Sequence, residues 1–142
     1  MSVSLKDEVR GAALGDQRLT KRLGKIIEEL GARPTMSVPA ATRGRAEMEA
    51  AYRFFDNDKV SAERIMRPHI EATRERISQT EVALLVQDTT DLDLTRPTQQ
   101  VQGTGPLETE TRHGVFFHPL LAFDDHGLWL GTSVGPVKSL ST

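Results

Sequence analysis

The sequence predicts an α+β fold in which helices come first along the chain and strands follow. Apolar residues up to about position 78 recur at spacings of three and four, the period of amphipathic helices. From residue 82 onward this period gives way to short continuous apolar runs, which are typical of strands. The order indicates either segregated α+β structure or a helical domain beside a sheet domain. We place the boundary so that residues 1–79 form the helical domain and residues 80–142 the sheet domain.

The composition fits a globular protein that is stabilised by a packed core. The chain has 142 residues, of which 37% are hydrophobic and 27% charged, and its mean hydropathy is −0.38. It contains no cysteine, which excludes disulfides, thiolate metal sites and a cysteine nucleophile. No apolar run approaches the roughly 20 residues that span a bilayer, and the first ten residues do not read as a signal peptide. We therefore expect a cytoplasmic protein.

Charge is distributed unevenly along the chain. The net charge of −2 and the pI near 6.1 give no global sign of a nucleic-acid-binding protein. Between Gly11 and Lys25, however, four basic residues accompany a single acid. Residues 81–142 contain eight acids and only three bases. A basic front and an acidic back indicate two roles on one chain.

The first two predicted helices differ in length. Residues 5–14 form a short amphipathic segment that ends at Gly15. Asp16 then suits the N-cap of a longer helix, with Gly31 as its stop and Pro34 just beyond. The apolar stripe of this longer helix comprises Leu19, Leu23, Ile26, Ile27 and Leu30.

Two further helices follow a loop over residues 34–45. The spacing predicts one helix over residues 46–55 and another over residues 62–78, with Ser61 as N-cap and Pro68 forcing a kink or a fresh start. The aromatic side chains of the first of these helices could stack on bases or pack in the core, and the helical period favours the core. The predicted inward stripe is Met48, Ala51, Tyr52 and Phe55.

Three strands are predicted in the second domain. The run VALLV over residues 82–86 is apolar without a helical period and suits a buried strand. After a polar loop, residues 114–134 read as two strands around a tight turn at residues 124–127. Asp124 and Asp125 fall in that turn, where aspartates are common for backbone reasons, so we do not assign them to a metal.

Asp88 directly follows the apolar strand and is the first candidate for chemistry. A carboxylate fixed at the end of a buried strand faces a cleft and suits a hard divalent cation. The same position also suits an aspartate that caps the following turn through its side chain. Spacing alone does not decide between a metal ligand and a turn-capping aspartate.

A set of basic residues forms the candidate DNA contact. Arg18, Arg22 and Lys25 share one helix at spacings of four and three, and such a row can follow a phosphate backbone. The alternative is an ordinary solvated helix face. Arginines in the loop and the third helix can add contacts, namely Arg43, Arg45 and Arg53.

Four blocks in order resemble the Tn-five-type transposases of the insertion-sequence-four family. They are ALGDQRLTKRL, AEMEAAYRFFDNDKVSAERI, LLVQDTTDLDLT and GTGPLETETRHGVFFHPLLAFDDHGLWLG, and they cover most of residues 12–131. The resemblance implies a helical domain that binds double-stranded transposon-end DNA, followed by the first three strands of a ribonuclease-H-like catalytic domain. It also implies that Asp88 is the first member of an Asp-Asp-Glu triad that binds Mg²⁺ or Mn²⁺ for phosphodiester cleavage and strand transfer.

The tail over residues 132–142 departs from the family pattern. The second aspartate and the glutamate of the triad would lie beyond residue 142, so we expect a truncated domain, weak or no metal binding, and no transposition by this chain alone. The alternative function is regulation, in which the chain occupies DNA ends or pairs with full-length transposase or with itself and inhibits transposition.

Overall fold

Helices occupy the front of the chain and strands the remainder, as the sequence predicts. The structure, a computed structural model, describes residues 4–96, 99 and 101–134. Its contacts divide the chain into two units, Met1–Ala72 and Thr73–Thr142. Within the described ranges, no helix has both the length and the apolar character needed to cross a membrane.

A short 3-10 turn at Leu5–Val9 stands where the sequence predicted a first helix. The α-helices of the described residues are α1 (Gln17–Ala32), α2 (Val38–Ala41), α3 (Arg45–Phe55) and α4 (Ala62–Ser78). α2 lies inside the predicted loop, because Pro39 near its start presets a helical backbone angle. α4 has the predicted bounds and continues through Pro68 instead of breaking there.

α1 begins as predicted and ends later than predicted. The Asp16 side chain accepts a hydrogen bond from the Arg18 backbone N–H at 2.8 Å, which caps the helix. Gly31 is not the stop, because the helix runs on to Ala32. A Cβ at Gly31 would overlap the Leu5 side chain, so this glycine allows the 3-10 turn to approach the helix.

The core of the first unit lies between the 3-10 turn, α1 and α3. α3 turns Phe54 inward with 2% of its surface exposed, whereas Tyr52 and Phe55 are 48% and 49% exposed. The predicted inward positions of Tyr52 and Phe55 are therefore wrong. Spacings of three and four from Ala51 are both helical, and packing selects the former. The buried cluster comprises Val9, Ala12, Leu14, Leu23, Ile26, Ala51 and Phe54.

Six strands follow the helices in the part of the chain that the structure describes. They are β1 (Ala83–Gln87), β2 (Thr90–Asp93), β3 (Gly105–Pro106), β4 (His113–Phe117), β5 (Pro119–Asp124) and β6 (Trp129–Val134). All pairs are antiparallel, in one sheet of order β1-β5-β6 and a second of order β2-β4-β3. The sequence predicted three strands. The predicted change of character in the tail falls largely on residues 135–142, which lie outside the described residues.

β1 is an edge strand, and its apolar run is not buried. Leu84, Leu85 and Val86 are each about half exposed, and the strand pairs with β5 along one side of the sheet. The prediction of a buried strand is therefore wrong for this chain. A continuous apolar run indicates a strand that can be covered on both faces, and the described residues leave this one open.

The chain passes from one sheet to the other at two neighbouring points. β1 passes into β2 through Asp88 and Thr89, and β4 passes into β5 at His118. The last pairing of the first sheet joins Gln87 to Leu120. The Thr89 hydroxyl lies 2.8 Å from His118 Nδ1, so a hydrogen bond joins the two crossing points.

β6 packs closely on the end of α4. Gly131 adopts a φ of +149°, and a Cβ there would overlap the buried side chain of Thr73. The Arg76 guanidinium donates a hydrogen bond to the Leu130 carbonyl at 2.8 Å. The predicted turn between β5 and β6 is confirmed, since Asp124 Oδ1 accepts hydrogen bonds from two backbone N–H groups within it.

Candidate nucleic-acid interface

Arg18 lies at the start of α1 and folds back on the helix cap. Its Nη2 is 2.9 Å from Asp16 Oδ2, and 90% of its side chain is exposed. This hydrogen bond is the main cause that holds the pKa of the Asp16 carboxyl below its usual range. An exposed ion pair of this kind contributes little to stability. Arg18 is therefore available to another anion at small energetic cost.

Glu47 joins the other two basic residues of the predicted row. Arg22 Nη1 lies 2.7 Å from Glu47 Oε2, and Lys25 Nζ lies 2.6 Å from Glu47 Oε1. Glu47 is in the first turn of α3, so these ion pairs tie α1 to α3. The Lys25 hydrogen bond, followed by that of Arg22, lowers the pKa of the Glu47 carboxyl. Two of the three residues of the predicted row are thus held by one internal carboxylate.

A groove of about 510 Å³ lies between α1, α3 and the turn that follows α3. Its cations come from both helices and from the turn, and Asp16 is the single acid among its lining residues. Such an excess of positive charge in a concave surface attracts polyanions. The four cations are Arg18, Arg22, Arg53 and Lys59. The structure thus brings three of the predicted residues together.

Lys59 is a groove residue that sequence reasoning missed. The turn after α3 is fixed by Asn57, whose Oδ1 accepts a hydrogen bond from the Lys59 backbone N–H at 3.0 Å. The Lys59 side chain comes within 4.0 Å of the position that a Cβ on Gly15 would occupy. This places its charge beside the start of α1. A lone lysine in a DNDK turn carries no periodic signal, so only the fold reveals this proximity.

A second basic depression of about 530 Å³ lies between the 3-10 turn and another face of α1. Its bases are Lys6, Arg10, Lys21 and Lys25, with Glu28 as the acid. Lys6 pairs with Glu28 at 3.0 Å, and Arg10 pairs with Asp7. Lys25 pairs with Glu47. Three of the four bases of this depression are therefore paired with a carboxylate, against two of the four cations of the groove.

Arg43 and Arg45 do not join the groove. Arg43 lines a depression with two other bases and three acids, so its surroundings are close to neutral. Arg45 pairs with Glu49 at 2.7 Å, one helical turn away on α3. Its side chain is 87% exposed, so this pair is also weak. These two predicted contacts lie outside the cluster formed by the other residues.

Arg53 lies between the groove and two exposed aromatic rings. Its Nε donates a hydrogen bond to the Glu49 carbonyl at 3.3 Å, so that, within the described part of the chain, its guanidinium is held by a backbone group and not by a carboxylate. Tyr52 and Phe55 flank it and line a shallow hollow with Asp56. The sequence favoured core packing over base stacking for these rings, because helical spacing predicted that they face inward. Their exposure removes that objection.

Asp88 lies at the first sheet-crossing point and is exposed. Its Oδ1 accepts a hydrogen bond from the backbone N–H of the next residue, Thr89, at 2.8 Å, whereas a turn-capping aspartate bonds the backbone two residues on. The predicted setting, a carboxylate that faces a cleft at the end of a buried strand, is therefore not present in this chain. Residue identity and strand position match the prediction, but the surroundings differ.

A divalent-metal centre needs several oxygen ligands around one point. The described residues contain no group of three or more histidine, cysteine, aspartate or glutamate side chains that could hold a metal ion. Asp88 contributes one carboxylate, which is already engaged with the backbone of Thr89. The described residues do not fit the metal site that the family resemblance implies.

The comparison with known families concerns the front of the chain. Residues 1–60 match a family model described as transposase DNA-binding. All residues that line the groove fall inside this range, from Asp16 to Lys59. The match supports a transposase N-terminal region with DNA as its partner. Asp88 and both sheets lie outside the matched residues.

Proposed function

We propose that this chain binds double-stranded transposon-end DNA through the groove between α1 and α3, as the N-terminal part of a cut-and-paste transposase of the Tn-five type. One observation carries the proposal. Four cations and one acid line a groove that lies wholly within the residues matched to transposase DNA-binding. Phosphates supply most of the affinity in such interfaces, and cations spaced along a groove can contact them.

Arg53 and Lys59 are the residues best placed for phosphate contact. Within the residues that the structure describes, neither forms an ion pair with a carboxylate. A phosphate can therefore approach them without displacing an internal carboxylate. Arg18, whose side chain is 90% exposed, lies in the same groove and can join the contact by leaving its partner Asp16.

Fluorescence anisotropy with a labelled mixed-sequence duplex, over a series of salt concentrations, tests the proposal on the full chain. Arg53→Gln and Lys59→Gln should each weaken binding and flatten the slope of log affinity against log salt by about 0.9. Arg67→Gln, on α4 and outside the groove, removes the same charge and should leave the slope unchanged. A slope that responds equally to all three variants would mean that the groove is not the interface.

For the second unit we propose the ribonuclease-H-like relationship, with Asp88 as the family's first carboxylate and Mg²⁺ or Mn²⁺ as its metal. The support is the position of Asp88 directly after β1 in the DTT block. Because the residues present do not assemble a metal centre, no cleavage step follows from them. We also propose that the protein is cytoplasmic. We expect no metal-dependent nicking of supercoiled plasmid by the purified chain.

Regulation of transposition is a second candidate function, and the exposed apolar edge of β1 favours it. An open strand edge can pair with another protein chain. The partner would be full-length transposase or a second copy. Co-expression with a family transposase should lower transposition frequency, and an unchanged frequency with the chain demonstrably present would rule regulation out.

A further inference from the structure

The Glu47 carboxylate engages two cations at once, one on each oxygen. Arg22 reaches one oxygen at 2.7 Å and Lys25 the other at 2.6 Å. These are the lengths of charge-assisted hydrogen bonds. Glu47 and Arg22 are partly buried, with 28% and 34% of their side chains exposed, and Lys25 is exposed at 48%. The arrangement is therefore a defined cluster on the molecule and not a loose surface contact.

The same geometry is what two cations adopt around the oxygens of a phosphate. Carboxylate and phosphate both present acceptor oxygens to guanidinium and ammonium groups, and one bound anion excludes another at the same donors. A DNA phosphate that contacts Arg22 or Lys25 must consequently displace Glu47. No such displacement is needed at Arg53, whose guanidinium donates to the backbone carbonyl of Glu49.

We infer that Glu47 is a built-in competitor for DNA phosphate, which occupies Arg22 and Lys25 in the free protein and thereby limits both the affinity and the salt dependence of DNA binding. The inference rests on the proposed DNA-binding function. It adds a negatively charged residue on α3 to the DNA-binding site. A comparison of basic residues alone would overlook this residue. Glu47 acts through Arg22 and Lys25 and does not itself touch the DNA.

Single lysine substitutions distinguish a lysine that pairs with Glu47 from a lysine that has no carboxylate partner among the described residues. Lys59→Gln removes a lysine that lacks a carboxylate partner among the described residues, and it should flatten the salt slope by about 0.9. Lys25→Gln removes a lysine that Glu47 holds, and it should leave the slope nearly unchanged. Equal flattening by the two variants would show that Lys25 leaves Glu47 for phosphate without hindrance, and would overturn the inference.

Glu47→Gln keeps the side-chain size while removing the charge, so it should release both cations. If both then contact phosphates, the salt slope steepens by about 1.8, and the variant loses roughly tenfold more affinity than the native chain between about 50 and 200 mM salt. Binding at low salt should be tighter than that of the native chain. Glu63→Gln on α4 is the matched control, because Glu63 is exposed and has no ion pair among the described residues.

The measurement is anisotropy of the labelled mixed-sequence duplex with the full chain, after circular dichroism has shown equal helicity for all variants. Tighter, more salt-sensitive binding by Glu47→Gln than by Glu63→Gln supports the inference. Equal binding by the native chain and Glu47→Gln, or weaker binding by a folded Glu47→Gln, overturns the inference and leaves the proposed function standing. Binding by no variant overturns both together. Should Glu47→Gln lose helicity, Glu47→Ala, which also removes the carboxylate and introduces a strong helix former, takes its place with the same outcomes.

Discussion

Tyr52 and Phe54 are two residues apart on α3 and lie on different sides of the helix, one exposed and the other fully enclosed. Phe54→Ala should destabilise the first unit by about 3–5 kcal/mol, because it removes a ring from a closed core and leaves a cavity. Tyr52→Ala should cost no more than about 0.5 kcal/mol, as is usual at an exposed position. Urea unfolding followed by far-ultraviolet circular dichroism measures both. Equal losses would place both rings in the core.

Gly131 is a position where both backbone and space require glycine. Gly131→Ala should destabilise the second unit by about 3 kcal/mol, since it combines strain at positive φ with an overlap with Thr73. Gly103→Ala is the control, because Gly103 has a φ of +79° and open space around it, and should cost about 1–2 kcal/mol of strain alone. The fluorescence of Trp129, the single tryptophan, reports unfolding at the start of β6. Identical costs would show that Thr73 yields without penalty.

Asp93 is held in its charged form by hydrogen bonds from Thr95 and then from Arg112, which lower its pKa to about 2. A carboxyl with a lowered pKa in the folded state stabilises it above the ordinary value near 3.8, and this contribution disappears as pH falls towards 2. Asp93→Asn should therefore flatten the loss of stability between about pH 4 and 2. Asp91→Asn, which removes a charge from the same strand, is the control. A titration of Asp93 by NMR with a midpoint near 4 would contradict the assignment.

Mg²⁺ binding should be millimolar or weaker, since one exposed carboxylate cannot replace several ligands of a hydrated divalent ion. Asp88→Asn should change a calorimetric titration little. Micromolar affinity that disappears in Asp88→Asn would mean that other residues complete a metal centre around it.

Local chemistry was sufficient to predict most of the helices. The Asp16 cap needs only an acceptor side chain before an apolar stripe, and the bounds of α4 follow from its flanking residues. The inward face of α3 was not predictable in the same way. Spacings of three and four from Ala51 reach Phe54 and Phe55 respectively, and only packing against other elements decides between them.

The basic groove was predictable in part. Arg18 and Arg22 are related by helical spacing, which is visible in the sequence. Lys59 joins them through a turn, and Glu47 meets Arg22 from a separate helix. Contacts between elements that lie 25 or more positions apart leave no periodic trace, so the sequence showed which cations exist and not which of them are already neutralised.

The β1–β2 and β4–β5 connections lie side by side. The two points at which the chain passes from one sheet to the other therefore form one two-stranded corner. Both segments change sheets at one level, and the Thr89–His118 hydrogen bond joins the two crossing points. Neither strand can straighten without the other. The direction of the Asp88 side chain is accordingly a property of the whole corner, so that a change at His118, thirty positions away, would re-aim a carboxylate it never touches.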